Sequence, residues 1–284
     1  MRRIPIRKPI GLCFFAILLI FTSTAGASAQ GSRAATAAAY IERGMSWMTK
    51  GDLERAGADF NLAVMSDPRS AEAYLNRGVV RYLRKELDHA LSDFDRAIQL
   101  NTRYAEAWMN RGAVRFARSD VEGAIRDFTK AIEINPKLVI AWSNRGIARR
   151  DKGELEAAIA DLDQAIELDS RAAALYTHRG IAFYLRKDLD KAEADFTSAL
   201  KRDPLLAEAW LNRGLTRHLV DDLDGAIADY GQAIRLKPQL AVAWMNRGIA
   251  WRDKGKRKEA ENDLNEAANL NPALKEIVKR LLQN

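Results

Sequence analysis

Hydrophobic positions along this chain fall into two kinds of helical stripe that alternate without interruption. In the segment that begins at Ala105, Trp108, Gly112 and Arg115 stand at positions 4, 8 and 11, and Ala124, Phe128 and Ala131 stand at positions 20, 24 and 27. At about 100° per residue each set lines one face of its own helix, and the residues between them break the pattern. The unit is therefore a helix, a turn and a second helix.

The same unit returns every 34 residues with no insertion, at 37–70, 71–104, 105–138, 139–172, 173–206, 207–240 and 241–274. Position 4 is aromatic in all seven, position 8 is glycine from Gly44 to Gly248, and positions 20 and 27 are alanine throughout. Position 24 is large (Phe60, Phe94, Phe128, Leu162, Phe196, Tyr230, Leu264). Glycine at 8 and alanine at 20 let the two helices approach, while the large residues fill the space beside them. Proline at position 32 in five units (Pro68, Pro136, Pro204, Pro238, Pro272) ends the second helix; Thr102 and Ser170 replace it and leave those two ends less sharply marked. One such pair cannot bury its apolar face alone, so the units must stack.

This pattern resembles the tetratricopeptide repeat family across all seven units. The resemblance implies an all-α fold, a right-handed superhelical solenoid of helix–turn–helix repeats, and a role in holding protein or peptide partners. It also implies that the amphipathic segment 275–284 is a C-terminal capping helix. Residues 30–36 are expected to be a disordered lead-in.

Two further positions are nearly constant. Position 7 is arginine in every unit and position 23 is aspartate in every unit, while position 19 drifts freely. On the wheel both border the packed faces. A structural ladder of ion pairs is expected, with Arg77, Arg111, Arg145, Arg179 and Arg213 facing Asp93, Asp127, Asp161, Asp195 and Asp229. Position 6 is Asn76, Asn110, Asn144, Asn212 and Asn246, with His178 in the fifth unit. On the wheel this position points away from the packed face, along with positions 2, 5, 9, 12 and 13. The resemblance makes that face a concave groove, and the row of amides resembles an asparagine ladder that grips the backbone of an extended peptide. Tyr82, Phe116, Arg150 and Tyr184 at position 12 would select its side chains, Arg150 favouring an acid.

The formal charge of +7 owes four of its units to Arg2, Arg3, Arg7 and Lys8. These precede an apolar run, Ile10–Phe21, and a small-residue stretch that ends Ala27-Ser28-Ala29. The order basic, apolar, small is that of a secretory signal peptide over residues 1–29. Cleavage after Ala29 leaves 41 basic against 38 acidic residues, a net of +3. Nucleic acid is thus not an expected partner, and no stable membrane insertion is expected once the signal is removed. An uncleaved signal would instead anchor the chain in a membrane. The single cysteine, Cys13, leaves with the signal, so the mature chain has no thiol chemistry.

No catalytic, cofactor or metal constellation emerges. His89, His178 and His218 occupy unrelated repeat positions, and the glycines recur as packing residues. The expectation is a non-enzymatic, exported scaffold that binds a protein or extended peptide segment. The rival reading is a regulatory subunit that takes a small ligand or cell-wall fragment in the same groove.

Overall fold

A computed structural model describes residues 31–283 of the chain. The signal-peptide segment 1–29 lies outside the described residues. Every described helix is α apart from one 3-10 turn, Pro272–Leu274, and no strand occurs among the described residues. The residues divide into two compact units, 31–153 and 154–283, with the division inside the fourth repeat.

The first unit contains α1 (Gly31–Thr49), α2 (Leu53–Ser66), α3 (Ala71–Leu83), α4 (Leu87–Leu100), α5 (Ala105–Ala117), α6 (Val121–Ile134) and α7 (Val139–Lys152). The second contains α8 (Leu155–Leu168), α9 (Ala173–Arg186), α10 (Leu189–Arg202), α11 (Ala207–Leu219), α12 (Leu223–Leu236), α13 (Ala241–Asp253), α14 (Arg257–Leu270) and α15 (Lys275–Gln283). Within each unit a first helix packs on the second helix of its own repeat and on the second helix of the repeat before it.

Position 8 must be glycine because the ring or branched side chain at position 24 lies directly over its Cα. A Cβ at Gly112 would stand 2.7 Å from Phe128 Cε1, and one at Gly248 would stand 2.8 Å from Leu264 Cγ. Those distances exclude any side chain.

The turn between paired helices is equally regular. Its position-15 residue has a left-handed backbone in every repeat, Gly51, Gly153 and Gly255 in three and Lys85, Ser119, Lys187 and Asp221 in four. Six of the seven second helices end alike, whether or not proline follows; in the sixth repeat Lys237 stands at this position and Pro238 follows. At position 31 the carboxylate or amide of Asp67, Asn101, Asn135, Asp169, Asp203 or Asn271 accepts the backbone N–H two residues on. This Asx turn ends α4 and α8 as sharply as proline ends the others.

Residues 31–36, expected to be a disordered lead-in, form the first turns of α1. Ala34, Ala35 and Ala37 to Ala39 are the strongest helix formers available, and Ala37 and Ile41 join the first core cluster. A helix end that is both alanine-rich and docked has no reason to fray.

Candidate functional site

The repeated arginine at position 7 organises each helix pair. Arg111 donates from Nε to Asp127 Oδ2 at 2.8 Å and from Nη2 to Asp127 Oδ1 at 2.7 Å. The same bidentate bond joins Arg43 to Asp59, Arg77 to Asp93, Arg179 to Asp195, Arg213 to Asp229 and Arg247 to Asp263. Arg145 and Asp161 are both buried, and they fall in different units. In the second, third and sixth repeats position 11 is also arginine, and a second guanidinium reaches the same carboxylate: Arg81 to Asp93 at 2.7 Å, Arg115 to Asp127 at 2.9 Å and Arg217 to Asp229 at 3.1 Å. Hydrogen bonding to Asp195 holds the Arg179 guanidinium above its ordinary range; burial acts against this rise and Asp163 adds to it.

This arginine makes two further contacts, one within its own helix and one that a single-repeat wheel does not contain. Its planar group stacks on the position-4 ring of its own helix, Arg111 over Trp108 at 4.6 Å and Arg213 over Trp210 at 4.8 Å. Its remaining Nη1 crosses to position 25 of the preceding repeat. Arg77 bonds Asn61 at 3.1 Å, Arg111 bonds Asp95 at 2.7 Å, Arg145 bonds Thr129 at 3.1 Å and Arg213 bonds Thr197 at 3.2 Å. The indole N–H at position 4 makes a second inter-repeat tie, as when Trp142 donates to the Pro136 carbonyl at 2.8 Å.

The position-6 residues are not where the wheel put them. Asn76, Asn110, Asn144, Asn212 and Asn246 are 0 to 2% exposed, and His178 is half-buried. Positions 5 and 9 are buried as well, through residues such as Leu75, Met109, Val79 and Leu215. The physical reason is that each first helix also meets the first helix of the neighbouring repeat, α1 with α3, α3 with α5, α5 with α7, α9 with α11 and α11 with α13. That contact covers a flank which a single helix pair would leave in water. Both amide atoms of Asn76, Asn110 and Asn246 are buried without a hydrogen-bond partner among the described residues.

Position 12 divides. Tyr82 and Phe116 are half-buried at the surface. Tyr184 lies in the core beside Phe196, Leu211 and Tyr230, and Arg150 is buried and paired with Asp151 at 2.7 Å. Arg150 is thus not an open receptor for an acid. The open part of the first-helix face in residues 31–153 is instead the strip of Tyr82, exposed Leu83 and Phe116, with Glu72 and Glu106 at its other end. Between those acids Tyr104 has its phenol pushed far up, first by burial and then by the charges of Glu72 and Glu106. Among the described residues no helix is long and apolar enough to cross a membrane, and no three His, Cys, Asp or Glu form a metal-holding group.

Comparison with protein families finds tetratricopeptide repeat models matching residues 105–138 and 188–241, and a TPR repeat model matching 146–187. With stacked helix pairs already in view, these matches decide the family. The chain is a tetratricopeptide repeat protein. As such it is a protein-interaction scaffold.

Solved tetratricopeptide structures share the fold. A chain of the APC/C hetero-tetramer Cut9-Hcn1 superposes with a TM-score of 0.73 at 19% identity, over 86% of this chain and 48% of that one. The chain thus spans about half the length of that relative. A tetratricopeptide repeat protein from Parabacteroides merdae matches with a TM-score of 0.66 at 20% identity, over 88% of this chain and 98% of that one. YrrB, described as a TPR protein with an unusual peptide-binding site, gives 0.53 at 23% identity, over 65% of this chain and 95% of its own. A comparison with curated protein sequences returns no match.

Proposed function

We propose that this tetratricopeptide protein binds a protein or an extended peptide segment across the face of its first helices, and that it does so in the cell envelope after export. The carrying observation is the row of buried amides at position 6. A buried polar group without a partner costs roughly 1 to 3 kcal/mol, and an apolar residue of similar size would remove that cost. Five repeats nonetheless place asparagine there. A bound backbone offers what Asn76 and Asn110, in neighbouring repeats, lack: a donor and an acceptor at a regular interval. Neighbouring helices pack about 8 to 10 Å apart and an extended chain rises about 3.3 Å per residue, so one repeat corresponds to about three residues of ligand.

Because the contact between neighbouring first helices covers these amides in the free chain, Tyr82, Leu83 and Phe116 at the rim make the first contact, and the backbone reaches the amides as that contact parts. The description of YrrB as a peptide-binding repeat protein of the same fold supports this reading. Support for export comes from the basic, apolar and small-residue order of residues 1–29.

The test places a photo-crosslinking residue at Leu83 or Phe116, and in a control at exposed Gln99 on α4, in cells that make the chain. Adducts from 83 and 116 but not from 99 are expected. Equal labelling from all three overturns the site. With a captured partner, the double change Asn76→Ala and Asn110→Ala should weaken binding tenfold or more, about 1.4 kcal/mol, without lowering the melting temperature. Mass spectrometry of the exported chain should find Gln30 at its N-terminus; a full-length cytosolic protein overturns the envelope assignment.

A further inference from the structure

We propose that the outer face of α1 is a docking site for an acidic amphipathic helix of a partner protein, held as each repeat holds the second helix of the repeat before it. This surface is separate from the peptide face proposed above. The argument begins with what the internal copies of this face do. In α3, α5 and α7 the position-7 arginine bonds an acceptor at position 25 of the preceding repeat, namely Asn61, Asp95 or Thr129. Seven residues further on, at the last residue of the helix or the one just after it, a cation at position 14 meets an acid at position 18 of that preceding repeat. Arg84 pairs with Glu54 at 2.8 Å, Arg118 with Asp88 at 2.6 Å and Lys152 with Glu122 at 3.8 Å. The pair recurs in the other unit between Lys254 and Asp224.

Each internal copy therefore reads one code on an antiparallel helix, an acid followed seven residues later by a hydrogen-bond acceptor. Apolar residues stand between and after them, as in Asp88, Leu91, Asp95 and Ile98, or Glu122, Ile125, Thr129 and Ile132.

On α1 the same two cation positions are Arg43 and Lys50, and among the described residues α1 packs on α2 and α3. The Arg43 side chain is 57% exposed, whereas those of Arg77, Arg111, Arg179, Arg213 and Arg247 are 12 to 22% exposed. Between the two cations, position 11 is Trp47 where the next three repeats have arginine. Arg55 and Lys50 lie over its ring at 4.7 and 4.8 Å, and an open hollow of about 260 Å³ is lined by Arg43, Trp47, Arg55, Ala58 and Asp59. The face thus presents two cations at the spacing of the code, with an aromatic surface for an apolar side chain between them.

Charge selects the occupant. Residues 1–30 contain no Asp or Glu, so the chain's own leader brings no carboxylate to Lys50. A second copy stacked by its C-terminal end would bring α15, where Glu276 and Gln283 keep the seven-residue spacing but Lys279 stands where the code has an apolar residue and Lys275, Lys279 and Arg280 surround the acid with like charge; two α1 faces brought together would also oppose like charges. A helix of another protein that carries the acid-and-acceptor code meets both cations.

The test uses the full chain and a stapled helical peptide of residues 87–101, the staple replacing exposed Ser92 and Arg96. Amide shift changes should map to Arg43–Lys50. Lys50→Glu in the chain, or Asp88→Lys in the peptide, should each weaken binding at least tenfold. Combining the two should restore it, which a misfolded variant could not do. The proposal is overturned by absence of binding, by equal affinity for the Lys50→Glu chain, or by shifts that map away from α1. Self-association of the chain that Lys50→Glu abolishes also overturns it, since the occupant is then a second copy.

Discussion

Asp127 shows how much can depend on one repeated side chain. It is 2% exposed and accepts bonds from both Arg111 and Arg115. Removing it leaves two guanidinium groups short of a partner, one of them largely buried, and breaking a buried pair costs roughly 3 to 5 kcal/mol. Glu122 pairs with Lys152 in the open, where such pairs contribute about 0 to 1 kcal/mol. Asp127→Ala should therefore lower the urea midpoint far more than Glu122→Ala, and equal midpoints would show that the ladder carries no stability. Tyr230 is the opposite case. Its hydroxyl is buried without a hydrogen-bond partner among the described residues, at a position where four other repeats have Phe. Tyr230→Phe should stabilise the chain by about 1 kcal/mol near neutral pH. Burial, then the nearby Tyr184 and Asp229, pushes the Tyr230 phenol well above its ordinary value. The folded chain keeps this proton after the unfolded chain begins to lose it near about pH 10. Stability is thus level below that pH and falls above it, and Tyr230→Phe should blunt the alkaline fall in melting temperature. At this scale the sequence was legible where opposite charges recur together within one repeat, as with positions 7 and 23, while the stack of position 7 on the position-4 ring carried no charge pattern to mark it. Position 6 was misread because its cover comes from the next first helix, which a wheel drawn for one helix does not contain. The roles of positions 14, 18 and 25 were hidden for the same reason.

At the scale of the element, the connection between paired helices stores a small and repeated strain. Lys85, Ser119, Lys187 and Asp221 adopt the left-handed backbone that Gly51, Gly153 and Gly255 take freely. The penalty for a residue with a Cβ there is roughly 1 to 2 kcal/mol, partly offset in glycine by the greater freedom of its unfolded chain. Lys85 is exposed, so its replacement disturbs no core. Lys85→Gly should stabilise the chain by about 0.5 to 1 kcal/mol, read as a higher urea midpoint with an unchanged slope; a lower midpoint would contradict the assignment of strain. The shared geometry of this turn was not legible in the sequence, because four of its seven positions carry residues with a Cβ and nothing local marks them as left-handed. The start of α1 was illegible for a related reason. Ala34 to Ala39 precede the first repeat signature and carry no periodic stripe, so helix propensity was the only local cue, and docking of Ala37 against the first core cluster completes it.

On the scale of the whole molecule, a repeat array is stabilised chiefly between nearest neighbours, so each end needs something to stand in for the missing repeat. At the C-terminal end this is α15. Val278 and Leu281 are buried with Leu274 against Met245, Ile249 and Leu264, while Lys275, Glu276 and Lys279 face outward. The amphipathic spacing of this segment made the cap legible in the sequence. At α1, among the described residues, the matching face keeps an exposed Arg43 and the Trp47 ring with its two cations, and that contrast with the face covered by α15 is what the helix-docking proposal rests on. Burying a leucine side chain contributes roughly 1.5 to 3 kcal/mol, and placing a carboxylate in its site adds the cost of desolvating a charge. Leu281→Asp should therefore detach α15 and expose the apolar side of α14. Because neighbouring repeats lend stability to one another, the loss should be greatest at the end and decay inward. Hydrogen exchange should quicken first in α14 and α13, less in α12 and α11, and least in α9 and α10. Uniform quickening through those six helices would mean instead that residues 154–283 unfold as a single cooperative body, with α15 as one of its integral parts rather than a terminal cap.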